Sequence, residues 1–329
     1  MIHGPRDRVV LTSDITLGRR EEEEYKNGIE FKGGHLRIYG AGHTIDARGK
    51  SSIFNFDGEH VYIENAVIKN GLDAISNTGS LTFVECSFLK NSGAIINDGK
   101  LRVENWTFRK NLNDGGAAGA IVHNGGYLQI DMSDFEENCA KDAGAICSSK
   151  SGTIFGCNFT KNQADGAGAL SCKGDFKVMH SKFENNMAIR DGGAISNRNA
   201  DLLISHSTFK RNFASKGSGA ISNHGNLSVE YCDFNENGVG LCGGAIRNVC
   251  NLKISETYFR YNRSCLRGGA ISSDGGILEI SDSSFSGNRG AIGEEICISK
   301  EDVLKLDNCR LVDDKIAYNE SYPHCDFSG

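Results

Sequence analysis

Two short motifs alternate along this chain and fix the pattern of its hydrophobic positions. One is Phe-x-x-Asn, running from Phe88 and Asn91 through Phe108, Phe135, Phe159, Phe183, Phe209, Phe234 and Phe259 to Phe285 and Asn288. Val67 and Asn70 open the series with an aliphatic substitute. The other is Gly-Ala-Ile, centred on Ala94, Ala120, Ala145, Ala194, Ala220, Ala245 and Ala270, with Leu170 in place of isoleucine once. Between them, Leu101 and Val103, Leu227 and Val229, and Leu252 and Ile254 alternate with polar neighbours, which is the period of short strands. Recurrence at about 20 to 27 residues is the mark of stacked repeats rather than of an ordinary globular domain.

The spacing between the motifs is uneven in an informative way. From each central alanine to the next phenylalanine it is 14 or 15 residues, whereas from asparagine to the next alanine it runs from 3 (Asn91 to Ala94) to 9 (Asn111 to Ala120). All length variation therefore falls at one corner of each repeat, as a stacked coil tolerates. Two positions before the phenylalanine stands a small residue: Cys86, Ser133, Cys157, Ser181, Ser207, Cys232, Thr257 or Ser283. Strand parity puts it on the phenylalanine's face, so stacking predicts an inner file of rings beside a file of Ser, Cys and Thr. The same parity turns Asn77, Asn97, Asn197, Asn223 and Asn248 inward, where side-chain amides must bond one another in a ladder or be costly; the alternative is that they are merely polar turn residues. After each phenylalanine come outward pairs such as Arg109–Lys110 and Glu136–Glu137, whose sign alternates between coils.

Composition refines this picture. With 329 residues, 39% of them hydrophobic, the chain could form two domains, but an uninterrupted repeat argues for one solenoid. The 41 glycines beside only 2 prolines read as one tight corner per repeat. A net charge of −6 gives no electrostatic reason to expect nucleic acid or an anionic membrane. Arginines and Pro5 stand where the apolar part of a secretory leader would be, and no run approaches a membrane span, so neither is expected. The expected organisation is a cap over 1–28, coils over 29–312 and a covering tail over 313–329.

Gly-Ala-Ile alternating with Phe-x-x-Asn resembles the repeats of the chlamydial polymorphic outer-membrane proteins. It is also similar to the adhesin-like β-helix proteins of methanogenic archaea and some gut bacteria. The run Gly40-Ala41-Gly42-His43-Thr44-Ile45-Asp46-Ala47, followed by Ile53 and Phe54, looks like the first coils of the latter. The resemblance covers roughly residues 9 to 312. It implies an all-β, right-handed parallel β-helix of the pectate-lyase-like kind, about a dozen coils long, with a surface or adhesive role. The secretion signal and membrane barrel of the chlamydial proteins are not recognised here.

Many parallel β-helices act on polysaccharides, which makes an enzyme a candidate reading. A glycosidase needs two carboxyls about 5 to 9.5 Å apart across the scissile bond. Asp313–Asp314 lies past the last recognisable coil and the acidic run Glu21 to Glu24 before the first, while His43 with Asp46 reads as a first-coil turn. No catalytic residue, metal site or cofactor is expected. Of 12 cysteines, Cys86, Cys157 and Cys232 share a file but lie about three coils, or roughly 14 Å, apart, too far for a disulfide. Cys242 and Cys265, in the variable corners of neighbouring coils, are the one candidate pair. His324–Cys325 is weak evidence for zinc. Reduced, buried thiols are the default, which favours the cytosol or an anaerobic habitat.

The variable corners hold the remaining functional interest. Asp114, Lys141, Asp165, Arg190, Lys216, Arg263 and Arg267 are expected to line one loop edge, which reads equally as a binding ridge or as tolerated length drift. The expectation is a non-enzymatic, adhesin-like protein that binds a glycan or a cell-surface protein along one face. A carbohydrate-active enzyme with carboxylates drawn from different coils, and a structural spacer, are the alternatives.

Overall fold

The computed structural model describes residues 7–18, 24, 26–311 and 316–319. It is all-β: three parallel sheets, each of 13 strands, are wound by one chain into a β-helix of about a dozen turns. The first sheet runs from Asp7–Val10 to Val303–Asp307, the second from Ile15–Thr16 to Arg310–Leu311, and the third from Asn27–Lys32 to Ile316–Asn319. Coil pairing thus starts at Asp7 and reaches Asn319, beyond the 29–312 expected. Asp7–Val10 already pairs with His35–Tyr39, and Ile296–Ser299 with Ile316–Asn319. Asp313–Asp314, Glu21 to Glu23 and His324–Cys325 lie outside the described residues.

Phenylalanines meet in register in the second sheet and fill the interior. Rings from Phe88 to Phe285 form one stack, with centroids 4.6–5.1 Å apart and planes within 7° of parallel. Every ring of the stack is fully buried. The small residue two positions earlier is buried beside it and bridges coils: Cys157 N–H donates to Ser181 Oγ at 3.2 Å, and Ser181 N–H to Ser207 Oγ at 3.1 Å. Trp106 takes that place in one coil.

The opening of the series needs correction. Ile68, not Val67, pairs with Phe88 and is buried, so the motif starts one residue later than its spelling suggests. Asn70 accordingly stands where Lys90 stands, at positive φ, and donates to Asp46 instead of entering the core.

The asparagine of the repeat forms a second interior file. From Asn91 to Asn288 each side-chain Nδ2 donates to the next Oδ1 over 2.8–3.0 Å without a break. Each of these residues from Asn111 onward also donates Nδ2 to the phenylalanine carbonyl of the preceding coil, as Asn186 does to Phe159 at 2.9 Å. Each Oδ1 accepts a backbone N–H as well, as Asn212 does from Asn186 at 3.1 Å. The amide is therefore fully satisfied, as burial demands. At the last rung Asn288 donates to Glu295 Oε2 at 2.5 Å, where a carboxylate occupies the usual alanine position.

The residue before each of these asparagines sits in the left-handed region: Lys90, Lys110, Glu137, Lys161, Asn185, Arg211, Glu236, Tyr261 and, before Asn288, Gly287. Such a conformation costs a non-glycine residue roughly 1–3 kcal/mol and persists only where the surroundings impose it. The ladder imposes it here. Glycine has another task. In the Gly-Ala-Ile motif Gly193 has ordinary φ, but a Cβ on it would lie 2.0 Å from the Gly219 carbonyl of the next coil. From Gly119 onward the glycines of that motif are required by close stacking, whereas Gly93 has positive φ, and the tight corners belong mostly to other residues.

The expected third-sheet ladder is present in two pieces. Asn77 bonds Asn97 at 2.5 Å and Asn97 meets His123. Asn197, Asn223 and Asn248 then continue to Ser273. Ser148 and Cys172 occupy the register between the pieces.

Candidate binding surface

The variable corner is more ordered than a ridge of loops. Seven two-residue strands, from Leu112–Asn113 to Arg263–Ser264, form a fourth parallel sheet there. The second residue of each later strand points inward, and Ala188, Ala214 and Val239 make a small separate core. The first points outward, so Met187 and Phe213 are exposed, with Ile189 just beyond.

The seven residues expected on one edge fall into three groups. Asp114, Lys141, Asp165, Arg190 and Lys216 follow fourth-sheet strands and are exposed. Arg263 lies within such a strand, on its outer face. Arg267 does not belong to the edge: it is 2% exposed, in register with Cys242, and its Nη1 lies 3.3 Å from Asp274 Oδ1. A long side chain beside a strand folds over the sheet when a carboxylate on the far side can hold it. Cys242 and Cys265 are not joined. Cys242 is buried opposite Arg267, while Cys265 lies exposed two residues earlier.

Arg267 and Asp274 cross the outer face of the third sheet, as Asp191 and Arg198 do with opposite polarity. Arg198 Nη2 lies 2.8 Å from Asp191 Oδ2, and Ser196 between them bonds Asp191 at 3.4 Å. These ion pairs act as straps over a file of serines, which explains why outward-facing Ser196 and Ser272 are buried. Arg247 also reaches Asp274, at 3.6 Å. Burial first, then the Arg247 charge, lowers the pKa of His224 beside this file. Burial pushes the Cys297 thiol up to about 11. Asp191 and Asp274 stand three coils apart, so they cannot flank a single bond.

His43 does not pair with Asp46. Its Nδ1 lies 3.3 Å from Asp14, and Asp46 is held by Asn70 at 2.8 Å, the Arg48 N–H at 2.9 Å and Lys69 at 3.2 Å. Burial alone would raise the Asp46 carboxyl, but those partners hold it below the ordinary value. This is turn architecture.

The outer corner after the first sheet carries a surface stack. His180, His206 and Tyr231 stack at 4.8–4.9 Å, and Phe155 meets His180 edge-on at 5.2 Å. His206 thereby has both faces covered by its neighbours. On the first sheet itself a depression of about 520 Å³ opens between Tyr127 and the pair Asp175 and Asp201, with Ser151 and Gly152 as its floor. Tyr127 is 47% exposed, its hydroxyl bonds Thr153 Oγ1, and it stacks on no other ring among the described residues. Asp201 accepts from Asn226 at 2.8 Å and donates its N–H to Asp175 at 3.0 Å. Sequence reasoning missed this place. The available signal was a tyrosine just before a strand where following coils carry Ser151, Asp175, Asp201 and Asn226.

Among the described residues no cluster of His, Cys, Asp and Glu could hold a metal, and no helix is long and apolar enough to cross a membrane. Comparisons with protein families, with curated proteins and with solved structures return no match for this chain.

Proposed function

We propose that this chain is a non-enzymatic, adhesin-like binding protein whose lateral surface engages a glycan or a protein partner. The observation that carries this reading is a run of exposed apolar side chains on a stiff frame. Met187, Ile189 and Phe213 lie on or just beyond two neighbouring fourth-sheet strands, and Tyr258 and Tyr261 lie on the second sheet and the corner after it two coils further on, each more than 40% exposed. Apolar surface gathered on neighbouring coils marks an interaction site, whereas single exposed residues do not. Arg190, Lys216 and Arg263 rim it. The resemblance to adhesin-like repeats and to a cell-surface setting supports the same reading.

One observation favours the carbohydrate-active enzyme instead: Asp175 and Asp201 stand at equivalent places on consecutive coils, roughly 4.8 Å apart along the axis. That is near the separation of a retaining glycosidase. Parallel stacking, however, makes both carboxylates project from one wall, whereas acid and nucleophile must approach the bond from opposite sides. The test is a glycan array read beside an assay for reducing ends and unsaturated sugar products. Retention without product is expected, and product release overturns the binding reading.

A further inference from the structure

Resting on that binding reading, we propose that the depression on the first sheet is a saccharide subsite sized for one sugar ring. Its width follows from the coil spacing. Tyr127 and Asp175 stand two coils apart, roughly 9–10 Å. The coil between them lines the gap with Ser151 and Gly152, so its floor is backbone and one small side chain, while Thr153 of that coil holds the Tyr127 hydroxyl. A single pyranose fits such a slot, and a peptide helix does not.

The chemistry of the walls selects the ligand. Asp175 and Asp201 are acceptors only and disfavour an anion. Lys177 lies between Thr153 and Leu203 in register on the outer face and disfavours a cation. A neutral group rich in hydroxyls meets both conditions: its O–H groups donate to the two carboxylates, and its oxygens accept from the ammonium. Tyr127 and Leu203 supply apolar surface for the C–H face of the ring. Leu203 is half-buried at an outward position filled by Thr153, Lys177, Ser228 and Lys253 in neighbouring coils, so it breaks a polar file at this depression.

The parts are also held before any ligand arrives. Tyr127 is tied to Thr153, Asp201 to Asn226, and Asn226 in turn accepts from Asn251 at 3.1 Å. Preorganised groups lose little freedom on binding, which is what weak sugar contacts need.

The experiment takes saccharides retained on a glycan array and titrates them, as free mono- to tetrasaccharides, against the full chain and three variants. Tyr127→Ala removes the wall, Ser151→Trp fills the slot while leaving the Asp175, Asp201 and Lys177 side chains in place, and Lys305→Ala changes the same sheet remote from the depression. Circular dichroism melts confirm that each variant is folded. The expected result is a loss of about tenfold or more for the first two and none for the third. Saccharide binding undiminished in Tyr127→Ala and Ser151→Trp overturns this site and leaves the binding reading standing. No saccharide retained at millimolar concentration overturns the ligand class. Product release overturns the binding reading itself.

Discussion

Asn97 Nδ2 and His123 Nδ1 lie 2.8 Å apart in the interior, so the imidazole takes part in the third-sheet ladder only as an acceptor. With Asn97 Nδ2 donating, the ring proton sits on Nε2, which is buried. Burial pushes the pKa of His123 down from 6.5 to about 4. The folded state therefore prefers the neutral ring, and the unfolded state takes up the proton first as pH falls. Stability from this group is complete above pH 6.5, is lost between 6.5 and about 4, and is flat below. The loss amounts to about 3 kcal/mol. His123→Asn, which restores the amide found at Asn97, should flatten that part of the profile. Urea midpoints at pH 7 and pH 4 for parent and variant measure it, and equal slopes would refute the assignment.

The phenylalanine stack should dominate stability locally. Phe183 has parallel rings on both sides, at 4.6 Å to Phe159 and 4.9 Å to Phe209. Phe183→Ala should cost about 3–5 kcal/mol in chemical denaturation. A variant that melts like the parent would contradict the packing.

Rungs of the asparagine ladder should differ from its end. Asn186→Ala strips the acceptor from Asn162 Nδ2 and N–H and the donor from the Phe159 carbonyl, all buried. About 2 kcal/mol or more should be lost. Glu295→Gln keeps an oxygen for Asn288 and should be far milder than Glu295→Ala. Denaturation midpoints of the three variants rank them.

Thiol reactivity should follow burial. Cys86, Cys157, Cys172 and Cys232 are all pushed up to about 12 by burial, whereas Cys265 is exposed. At pH 8 a thiol reagent should modify Cys265 in the native protein and reach those four only in denaturant. Mass spectrometry of the labelled peptides checks this. Cys242→Ser should leave non-reducing gel mobility unchanged.

The fold was legible because stacking writes one spatial file as one recurring letter. Phe88 to Phe285 revealed the coils, and parity placed Asn77 and Asn97 inward. The first copy misled because Val67 and Asn70 fit the spelling while Ile68 fits the space. The Phe-x-x-Asn asparagines could not be told from turn residues, since burial there depends on a left-handed neighbour such as Lys110 that carries no turn signature. The glycine excess misled for a related reason: Gly193 yields to a carbonyl of another coil, not to its own φ. The surface was least legible. Tyr127, Lys177 and Asp201 belong to three different coils, and Arg267 left its expected edge because Asp274, seven residues away, draws it across a sheet.

Confining length changes to the arc between asparagine and the next alanine has a consequence for the size of the whole rod. Every unit adds a fixed increment of about 4.8 Å along the axis, whatever the loop it carries. Removing or duplicating one unit would leave identical cross-sections to rejoin, ring on ring and amide on amide. Reach and surface decoration can therefore change independently of each other: copy number sets the first, and the bulging arc sets the second.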